Sequence, residues 1–572
     1  MVELGDGVDW AHSRRLKEAV PQVRDDTRAL DWVCNLFHHL DLPCYTHSFY
    51  VNPVQRLGLR KSVYTVLEPA SGADGKECMI VTTAHDLSGP AKDLLNDSDF
   101  SGISLSVAAL KHLKDEVGWL AKNVILLVAD ERRNDDKGFL HPGVKAFVDD
   151  YHADTMSLLA RRDRDSAHGR AVRHMGVMRA AISLDFPRGE QWSNIQVLTS
   201  GFNGELPNMD LLNTAVYHLG SYGVGVTLDT CSGSLHTEDH SCSDIVGRAK
   251  NVTIPLLANL KTGDRVEAYM KRLFSMLGFM GSLAMRPSGP HAHFLRHSVD
   301  AITIAGHESS PMQPDHLAVV HPRNLTTALL NIVRGMSNLE EELHHSFFCY
   351  IMLSTQAFVS IGEYAYALGL LLLPLALQAG KLVSPKGRIR LLDSAIVLGC
   401  LEGYGLLAFG AALASPPHSI SQLNLSMQCT TILGWLLVLV LVRARDKRQG
   451  SLDWEGPKAA NACLVLYALT VTALLNWPLS LIIALTHVPI LMASRPWRRT
   501  APQFWCMLAI VGGTSPVTWL WWLEIVTGSG SDGVMWMQWL RGYQSVGLMN
   551  LPLLCLISIP THLITLYVLL AQ

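Results

Sequence analysis

The sequence has 572 residues, of which 49% are hydrophobic, and a formal net charge of −3. This balance excludes a strongly basic nucleic-acid-binding protein, and the apolar content excludes extensive disorder. The averages conceal a division, because residues 1–344 contain 34 Lys and Arg and 42 Asp and Glu, whereas residues 345–572 contain 13 and 8. We therefore predict a globular domain over 1–344 and a multi-span membrane domain over 345–572.

The first 344 residues alternate apolar, β-branched runs with helical patterns. Predicted strands are 62–67, 78–84, 123–129, 179–186, 194–199 and 299–305. Predicted helices are 9–39, 101–116, 142–151, 207–219, 264–284 and 323–349. Strands and helices in turn indicate an α/β domain with helices on both faces of one sheet. The charged stretch 152–177 is interpreted as a solvated surface insertion.

The last 228 residues contain seven stretches long and apolar enough to cross a bilayer, which takes about 20 residues of helix. They are 357–379, 391–413, 425–442, 459–475, 478–494, 503–525 and 548–571. The fourth and fifth stretches are separated only by Asn476-Trp477-Pro478. Since proline removes a helix donor, a tight helical hairpin is predicted there, with one long kinked helix as the alternative.

The loops between these stretches alternate in positive charge. Loops 380–390, 443–458 and 495–502 carry 12 Lys and Arg, whereas loops 414–424, 476–477 and 526–547 carry 1. Positive loops stay cytoplasmic, so residues 1–344 are predicted to lie on the lumenal or external side.

Glycosylation acceptors and cysteines bear on the same topology. The sequons at Asn96, Asn251 and Asn324 all fall on the predicted lumenal side. Cysteines on that side can form disulfides, and Cys231 and Cys242 are a candidate pair because they are close in sequence. The alternative is that these cysteines are buried free thiols.

The first 30 residues lack the apolar segment of a signal peptide or membrane anchor. We expect either that the chain starts after such a segment or that the predicted topology is inverted.

Metal-ligand residue types follow several predicted strands of the large domain. Ligands on α/β sheets gather at the carboxyl ends of the strands, and His with carboxylates is typical of zinc sites. The candidates are His85, Asp97, Asp99, Glu131, Asp185 and His291.

The order of these candidates resembles that in the di-zinc aminopeptidases, whose ligands run His, Asp, Glu-Glu, Asp, His on an α/β sheet. The place of the bridging Asp is taken here by Ser98, and the Glu-Glu pair by Asp130-Glu131. We therefore favour a degenerate or empty metal site on an aminopeptidase-like fold, with no cofactor. The alternative is a membrane-anchored zinc aminopeptidase of the endoplasmic reticulum.

More specific segments are GFNGELPNMDLLN at 201–213, PHAHFLR at 290–296, LHHSFFCY at 343–350 and FVSIGEY at 358–364. Together with an aminopeptidase-like domain and seven spans, they resemble the family of GPI-anchor attachment subunits of GPI transamidase. The resemblance covers nearly the whole chain and implies a mixed sheet. That family also has one span before its lumenal domain.

The resemblance implies an accessory subunit in the endoplasmic-reticulum membrane that is not an enzyme by itself. Its implied partners are the other transamidase subunits, including a caspase-like catalytic one, the GPI glycolipid, and precursor proteins with a GPI signal. Helping to bind and present the lipid and precursor is the implied role.

Site candidates follow from the amphipathic chemistry of a GPI lipid and from that resemblance. Side chains at the lumenal membrane surface or inside spans are candidates for the lipid or the interface. They are His344, His345, Tyr350, Glu363, Glu402 and Pro560, the last because the family associates a proline of the final span with GPI recognition. Asn208 and Asp210 begin a predicted helix and are candidates for a partner contact or a helix cap.

Overall fold

A computed structural model describes most of the chain. It covers residues 28–52, 57–69, 75–89, 102–115, 118–131, 140–153, 172–186, 192–228, 264–285, 287, 289–308, 320, 322–338, 349–383, 391–414, 420–449, 454–497, 501–513, 515 and 534–571. The chain divides into two compact units: Met1–Asp239 with Arg286–Phe358, and His240–Met285 with Val359–Gln572.

The first unit is an α/β domain, as predicted. Its strands are β1 (Tyr45–Asn52), β2 (Leu57–Leu67), β3 (Glu77–His85), β4 (Asn123–Asp130), β5 (Val177–Asp185), β6 (Trp192–Leu198), β7 (Val226–Leu228) and β8 (Asp300–Glu308). Its helices are α1 (Ala29–His39), α2 (Gly102–Asp115), α3 (Pro142–Tyr151), α4 (Met209–Ser221), α6 (Ala292–Leu295) and α7 (Pro322–Ser337); the helix α5 (Asp264–Met285) belongs to the second unit.

The eight strands form one mixed sheet in the order β1-β2-β4-β3-β5-β8-β6-β7. The four central strands β4, β3, β5 and β8 run parallel, whereas β2 and β6 pair antiparallel to them on either side. All eight residues of β4 are buried. Because parallel strands are covered on both faces, the sequences of these four are continuous apolar runs that predict strands. The two other predicted strands, β2 and β6, are confirmed as well.

Helices cover both faces of this sheet. On one face, Phe147 of α3 and Phe294 of α6 pack against Ile80 and Ile125 of the central strands. On the other face, α2 lies so close to β3 that a Cβ on Gly102 would stand 2.3 Å from Oγ1 of Thr83. The predicted mixed-sheet α/β fold is therefore confirmed.

A disulfide joins Cys34 of α1 to Cys44, just before β1. The sequence did not single out this pair, and Cys231 and Cys242 lie outside the described residues. Cys78 is a buried free thiol that contacts the Tyr151 hydroxyl at 3.3 Å, and burial raises the pKa of this thiol to about 11.

The predicted helix 323–349 is wrong at its carboxyl end, although residues 339–348 lie outside the described residues. Helix α7 ends at Ser337, and Tyr350 instead begins the strand β9 (Tyr350–Ser354), which pairs with β10 (Ala357–Ser360). The first apolar helix therefore starts after a β-hairpin.

The second unit is helical. Besides α5 it contains α8 (Ile361–Val383), α9 (Leu391–Ala414), α10 (Ile420–Gln449), α11 (Glu455–Leu475), α12 (Trp477–Ala493), α13 (Pro502–Gly513), α14 (Val534–Val546) and α15 (Asn550–Leu570). Among the described residues, five helices are long and apolar enough to cross a membrane, namely α8, α9, α10, α11 and α15. Helices α12 and α13 are apolar but shorter, so the count of seven spans stays a prediction.

The predicted break at Asn476 is confirmed. Helix α11 ends at Leu475, and α12 begins at Trp477, so that only Asn476 lies between them. Pro478 lies in the first turn of α12, where backbone N–H groups have no partner within the helix, so the missing N–H of proline costs no hydrogen bond. The Asn476 side chain caps α12 by accepting a hydrogen bond from the Leu479 amide at 3.0 Å. Ser480 donates back to the Leu469 carbonyl at 2.7 Å, so the two helices pack as a hairpin.

Two asparagines of this unit also hold the end of α5. The last carbonyls of any helix lack intrahelical donors. Asn476 Nδ2 donates to the Leu283 carbonyl at 2.9 Å, and Asn550 Nδ2 donates to the Ala284 carbonyl at 2.9 Å. Helix α5 is thereby joined to the apolar helices by polar contacts that the sequence pattern did not indicate.

We expect Asn476→Ala to destabilise the second unit. The substitution removes the α12 cap and leaves the buried Leu283 carbonyl without this donor, which together cost about 1–3 kcal/mol. The thermal unfolding midpoint of the detergent-solubilised chain measures the effect. Asn476→Ser is the matched control, because its hydroxyl can still cap the Leu479 amide and only the donor to the Leu283 carbonyl is lost. Equal midpoints for Asn476→Ala and wild type would contradict the prediction.

Candidate functional site

The carboxyl edge of the central strands gathers the expected polar residues. His85 at the end of β3 pairs in register with Asp130 at the end of β4. On the other side of β3, Thr83 pairs with Leu184, so Asp185 follows at the same edge. The strand order thus brings His85, Asp130 and Asp185 to one side of the sheet, where ligands of α/β sheets bind.

The polar groups at this edge hold neighbouring backbone. One carboxylate oxygen of Asp130 accepts a hydrogen bond from the Leu87 amide at 2.9 Å, which fixes the turn after β3. The His85 imidazole Nε2 lies 3.0 Å from Oγ1 of Thr83 on its own strand. Both side chains therefore support the local fold.

Glu131, a predicted metal ligand, is placed to cap a helix. Its Oε1 accepts hydrogen bonds from the amides of Gly143 at 2.9 Å and Val144 at 3.1 Å, at the start of α3. The first amides of a helix have no intrahelical partner and favour a negative charge. A Cβ on Gly143 would lie 3.1 Å from this oxygen and 2.8 Å from the Asp130 carbonyl, so the glycine allows the close approach.

We expect Glu131→Ala to lower the free energy of unfolding of the first unit by about 1 kcal/mol, because two α3 amides lose their acceptor. Glu131→Gln should retain most of the stability, since its amide oxygen still accepts. Denaturant unfolding of the purified chain measures both. A loss in Glu131→Gln as large as in Glu131→Ala would contradict the capping role.

The side chain of His291, another predicted metal ligand, is buried against the sheet. Its Nδ1 lies 2.8 Å from Oγ1 of Thr303 in β8, and the side chain is fully buried. Burial lowers the pKa of His291 to about 3, with a further contribution from His141, so the imidazole is neutral at physiological pH. The neighbouring His293 is also buried, and its Nε2 contacts the Leu140 carbonyl at 2.7 Å.

The zinc site of the alternative interpretation does not fit the described residues. No three His, Cys, Asp or Glu side chains in the described part of the chain are grouped so that they could hold a metal ion. Asp97 and Asp99 lie outside the described residues. The contacts that the structure describes at the carboxyl edge are hydrogen bonds within the fold.

The PNMDLLN segment lies at the start of α4 and is anchored from two distant parts of the chain. Asp300 Oδ1 accepts a hydrogen bond from the Asn208 amide at 2.8 Å, and the Tyr350 hydroxyl donates to the Pro207 carbonyl at 3.0 Å. Burial raises the pKa of the Asp300 carboxyl, although the Asn208 contact opposes this shift. Burial, aided by the nearby Asp300, raises the pKa of Tyr350 as well.

The predicted helix cap in this segment is confirmed. The Asn208 side chain accepts from the Asp210 amide at 2.9 Å, and α4 begins at Met209. Asn208 is fully buried, whereas Asp210 is exposed and remains accessible to a partner. Sequence reasoning missed Asp300, whose only signal is an acid at the start of an apolar strand.

Tyr350 lies inside the first unit. Only 1% of its side-chain surface is exposed, and the hydroxyl is used on Pro207, so it does not present its ring to lipid as the interface prediction expected. His344 and His345 lie outside the described residues, as do the sequons Asn96 and Asn251. The remaining sequon residue, Asn324, is half-buried in α7, where its amide donates to the Tyr222 carbonyl at 2.9 Å.

Two candidate carboxylates lie on the apolar helices. Glu363 is exposed in the first turn of α8. Glu402 is half-buried in α9, and its Oε1 is buried without a hydrogen-bond donor among the described residues. A carboxylate within a span is costly unless it faces protein or a polar cavity, so Glu402 marks an inner surface of this unit.

Pro560 lies where α15 comes closest to α9. A π-helical turn, Leu554–Ser558, precedes it and accommodates the donor that proline lacks. A Cβ on Gly405 of α9 would stand 2.6 Å from the Cys555 carbonyl and 2.8 Å from Cγ of Pro560. Small residues at such a crossing let membrane helices approach closely, so Gly405 and Pro560 form one packed contact.

Two residues after Pro560, His562 Nε2 accepts a hydrogen bond from Trp435 Nε1 of α10 at 3.3 Å. Among the five long apolar helices of the described residues, α15 is the most deeply buried. The last helix is therefore the centre of the second unit, and α9 and α10 pack around it.

A mixed-sheet α/β domain combined with several apolar helices defines a class of membrane protein with a large globular part. Residues 60–566 match the family described as Gaa1-like, GPI transamidase component. Because this match covers most of the sequence, the chain belongs to that family.

Two curated relatives come from yeasts. The GPI transamidase component gaa1 of Schizosaccharomyces pombe is 24% identical over 347 residues, covering 58% of this chain and 51% of that protein. The GPI transamidase component GAA1 of Saccharomyces cerevisiae is 23% identical over 305 residues, covering 53% of this chain and 39% of that protein. The matched part of this chain thus spans about half or less of the length of these relatives.

Among solved structures, the LapA aminopeptidase of Legionella pneumophila covers 57% of this chain and 71% of its own. The sequence identity is 12%, and the TM-score is 0.29.

Proposed function

We propose that this chain acts as an accessory subunit of GPI transamidase, which helps to bind or present the GPI lipid and the precursor protein while the anchor is attached. The observation that carries the proposal is the family match over residues 60–566, which includes both units. The names of the two yeast relatives support the same role.

The proposed location is the endoplasmic-reticulum membrane, with the first unit on the lumenal side. The alternation of 12 positive charges against 1 in the loops supports this orientation. The disulfide between Cys34 and Cys44 supports it independently, because disulfides persist in oxidising compartments and are rare in the cytosol.

The proposed partners are the other transamidase subunits, including the caspase-like one that would supply the catalytic chemistry. The carboxylates of Asp130 and Glu131 already accept backbone hydrogen bonds. These structural contacts support a non-catalytic role for this chain. Asp210 is the proposed lumenal contact, because it is exposed on a segment that Asp300 and Tyr350 hold in place.

The proposed GPI-lipid site residues are Glu402 and Pro560, with Glu363 at the start of α8. Glu402 Oε1 has no donor among the described residues, and a phosphoethanolamine ammonium or a partner's side chain would supply one. Pro560 and Gly405 fix the crossing of the two helices that carry these residues.

Depletion of the protein tests the role. We expect GPI-linked proteins to fall at the cell surface, as measured by flow cytometry, and their uncleaved precursors to accumulate on immunoblots. A secreted protein without a GPI signal is the control. Normal surface levels of GPI-linked proteins, with no accumulated precursor, would contradict the proposed function.

The paired substitution His85→Ala and Asp185→Asn separates the accessory role from the zinc aminopeptidase. We expect this variant to restore surface GPI-linked proteins in depleted cells as well as the unsubstituted protein does. Loss of rescue together with loss of bound zinc in the purified protein would favour the enzyme instead.

Orientation is tested in sealed microsomes. A protease added outside should leave a fragment containing the first unit intact, and detergent should make that fragment cleavable. Digestion of the first unit without detergent would contradict the lumenal placement.

A further inference from the structure

Helix α5 has a continuous apolar face along its first fourteen residues. Val266, Tyr269, Met270, Leu273, Met276 and Leu277 recur at the three- and four-residue spacing of one helix face; we call this set the α5 stripe. The same periodicity puts Asp264, Glu267 and Lys271 on the other side of the helix, and Arg265 and Arg272 on one flank of the stripe. The sequence thus has the pattern of an amphipathic helix.

Within the described part of the chain, this stripe is only partly covered. The exposed fractions are 64% for Tyr269, 43% for Val266 and 41% for Leu277, and the other three stripe residues are half-buried. In contrast, Phe279, Leu283 and Ala284 at the carboxyl end of the helix are buried. An amphipathic helix normally buries its apolar face, so the exposed stripe needs a partner.

The anchoring of α5 indicates where that partner lies. Asn476 lies in the short break between α11 and α12, and Asn550 is the first residue of α15. Breaks and ends of apolar spans lie at the surface of a bilayer. Since these asparagines hold the Leu283 and Ala284 carbonyls at 2.9 Å, the carboxyl end of α5 is fixed at that level.

We propose that α5 lies in the plane of the membrane surface, with the α5 stripe buried among the lipid head groups and the upper acyl chains. The stripe starts about 25 Å along the helix axis from the Asn476 contact, at about 1.5 Å per residue. A helix lying flat from that anchor places all six stripe residues against lipid and its charged side toward water. Tyr269 suits this position because its ring is apolar and its hydroxyl reaches water.

Photo-crosslinking tests the proposal on the full chain. The photoreactive residue benzoylphenylalanine replaces Tyr269 or Leu277 of the stripe, or Ala268 or Lys271 of the opposite side as matched controls. Each variant is reconstituted in nanodiscs of phosphatidylcholine and phosphatidylserine and irradiated. We expect intact-mass spectra to show lipid adducts several-fold more abundant at positions 269 and 277 than at 268 and 271.

Equal adducts at all four positions, or none at 269 and 277, would overturn the proposal. The same irradiation in native membranes identifies the competing occupant, because a protein adduct at 269 and 277 in place of lipid would show that another subunit covers the stripe. Should a variant not fold, the unsubstituted chain is irradiated with phosphatidylcholine that carries a photoreactive diazirine on its acyl chain. Labelling of peptides within 264–277 is then expected, and its absence contradicts the proposal.

Discussion

Gly405→Ala is expected to destabilise the second unit by about 1–3 kcal/mol, the usual range for overpacking a close contact. The new methyl group would stand 2.6 Å from the Cys555 carbonyl oxygen and 2.8 Å from Cγ of Pro560. The first of these atoms belongs to the backbone and the second to a proline ring, so neither can move away by a side-chain rotation. Helices α9 and α15 must separate instead, which loosens the packing of the last helix at the centre of this unit.

Gly403→Ala is the matched control for this substitution. Gly403 lies on the same helix, and among the described residues no atom beyond the helix's own backbone stands within 4 Å of a Cβ built there. An alanine in an open helical position is expected to be neutral or to stabilise by about 0.5–1 kcal/mol. The two substitutions therefore have opposite expected signs, although each adds one methyl group.

Thermal unfolding midpoints of the detergent-solubilised variants measure the difference. Under the proposed function, Gly405→Ala should also reduce surface GPI-linked proteins in rescued cells, whereas Gly403→Ala should not. Equal midpoints for the two variants would contradict the close crossing at Pro560.

Removal of the Cys34–Cys44 disulfide is the second substitution with a large expected effect. The bond links residues 10 apart in sequence and joins α1 to the segment before β1. Closing a loop of this size restricts the unfolded chain, so its loss is expected to lower the free energy of unfolding by about 3 kcal/mol. The paired variant Cys34→Ala and Cys44→Ala tests this.

Denaturant unfolding with and without a reducing agent provides the measurement. Reduction should destabilise the unsubstituted protein and leave the paired variant unchanged. Cys349→Ser is the control, because Cys349 is an exposed free thiol whose loss should not alter the response to reduction. An unsubstituted protein that does not respond to the reducing agent would contradict the prediction.

The sequence predicted the central part of the sheet well. Strands β3, β4, β5 and β8 are buried on both faces, so their residues form apolar runs that stand out from the helical patterns around them. Strand β1, YTHSFYVN, was missed because it mixes polar and aromatic residues, and β7 because it has only three residues. Such strands form through pairing with a neighbour, which local composition does not encode.

The candidate site was predicted in part. Strand order brought His85, Asp130 and Asp185 to one edge, as the positions of strand ends implied. What Glu131 does there depends on the amides of Gly143 and Val144, which belong to a different element. An acid at a strand end has the same sequence signature whether it binds a metal or caps a helix, so the distinction rests on the tertiary partner.

By itself, the sequence determined the α/β class, the division into a charged and an apolar part, and the break at Asn476. Each of these depends on local properties: side-chain polarity, its periodicity along the chain, and the missing amide of proline. Only the tertiary structure decided that α5 joins the apolar helices, that Cys34 pairs with Cys44, and that Tyr350 is enclosed. These features depend on contacts between residues far apart in the chain or on the loop path between them, and such proximity is set by how the elements pack.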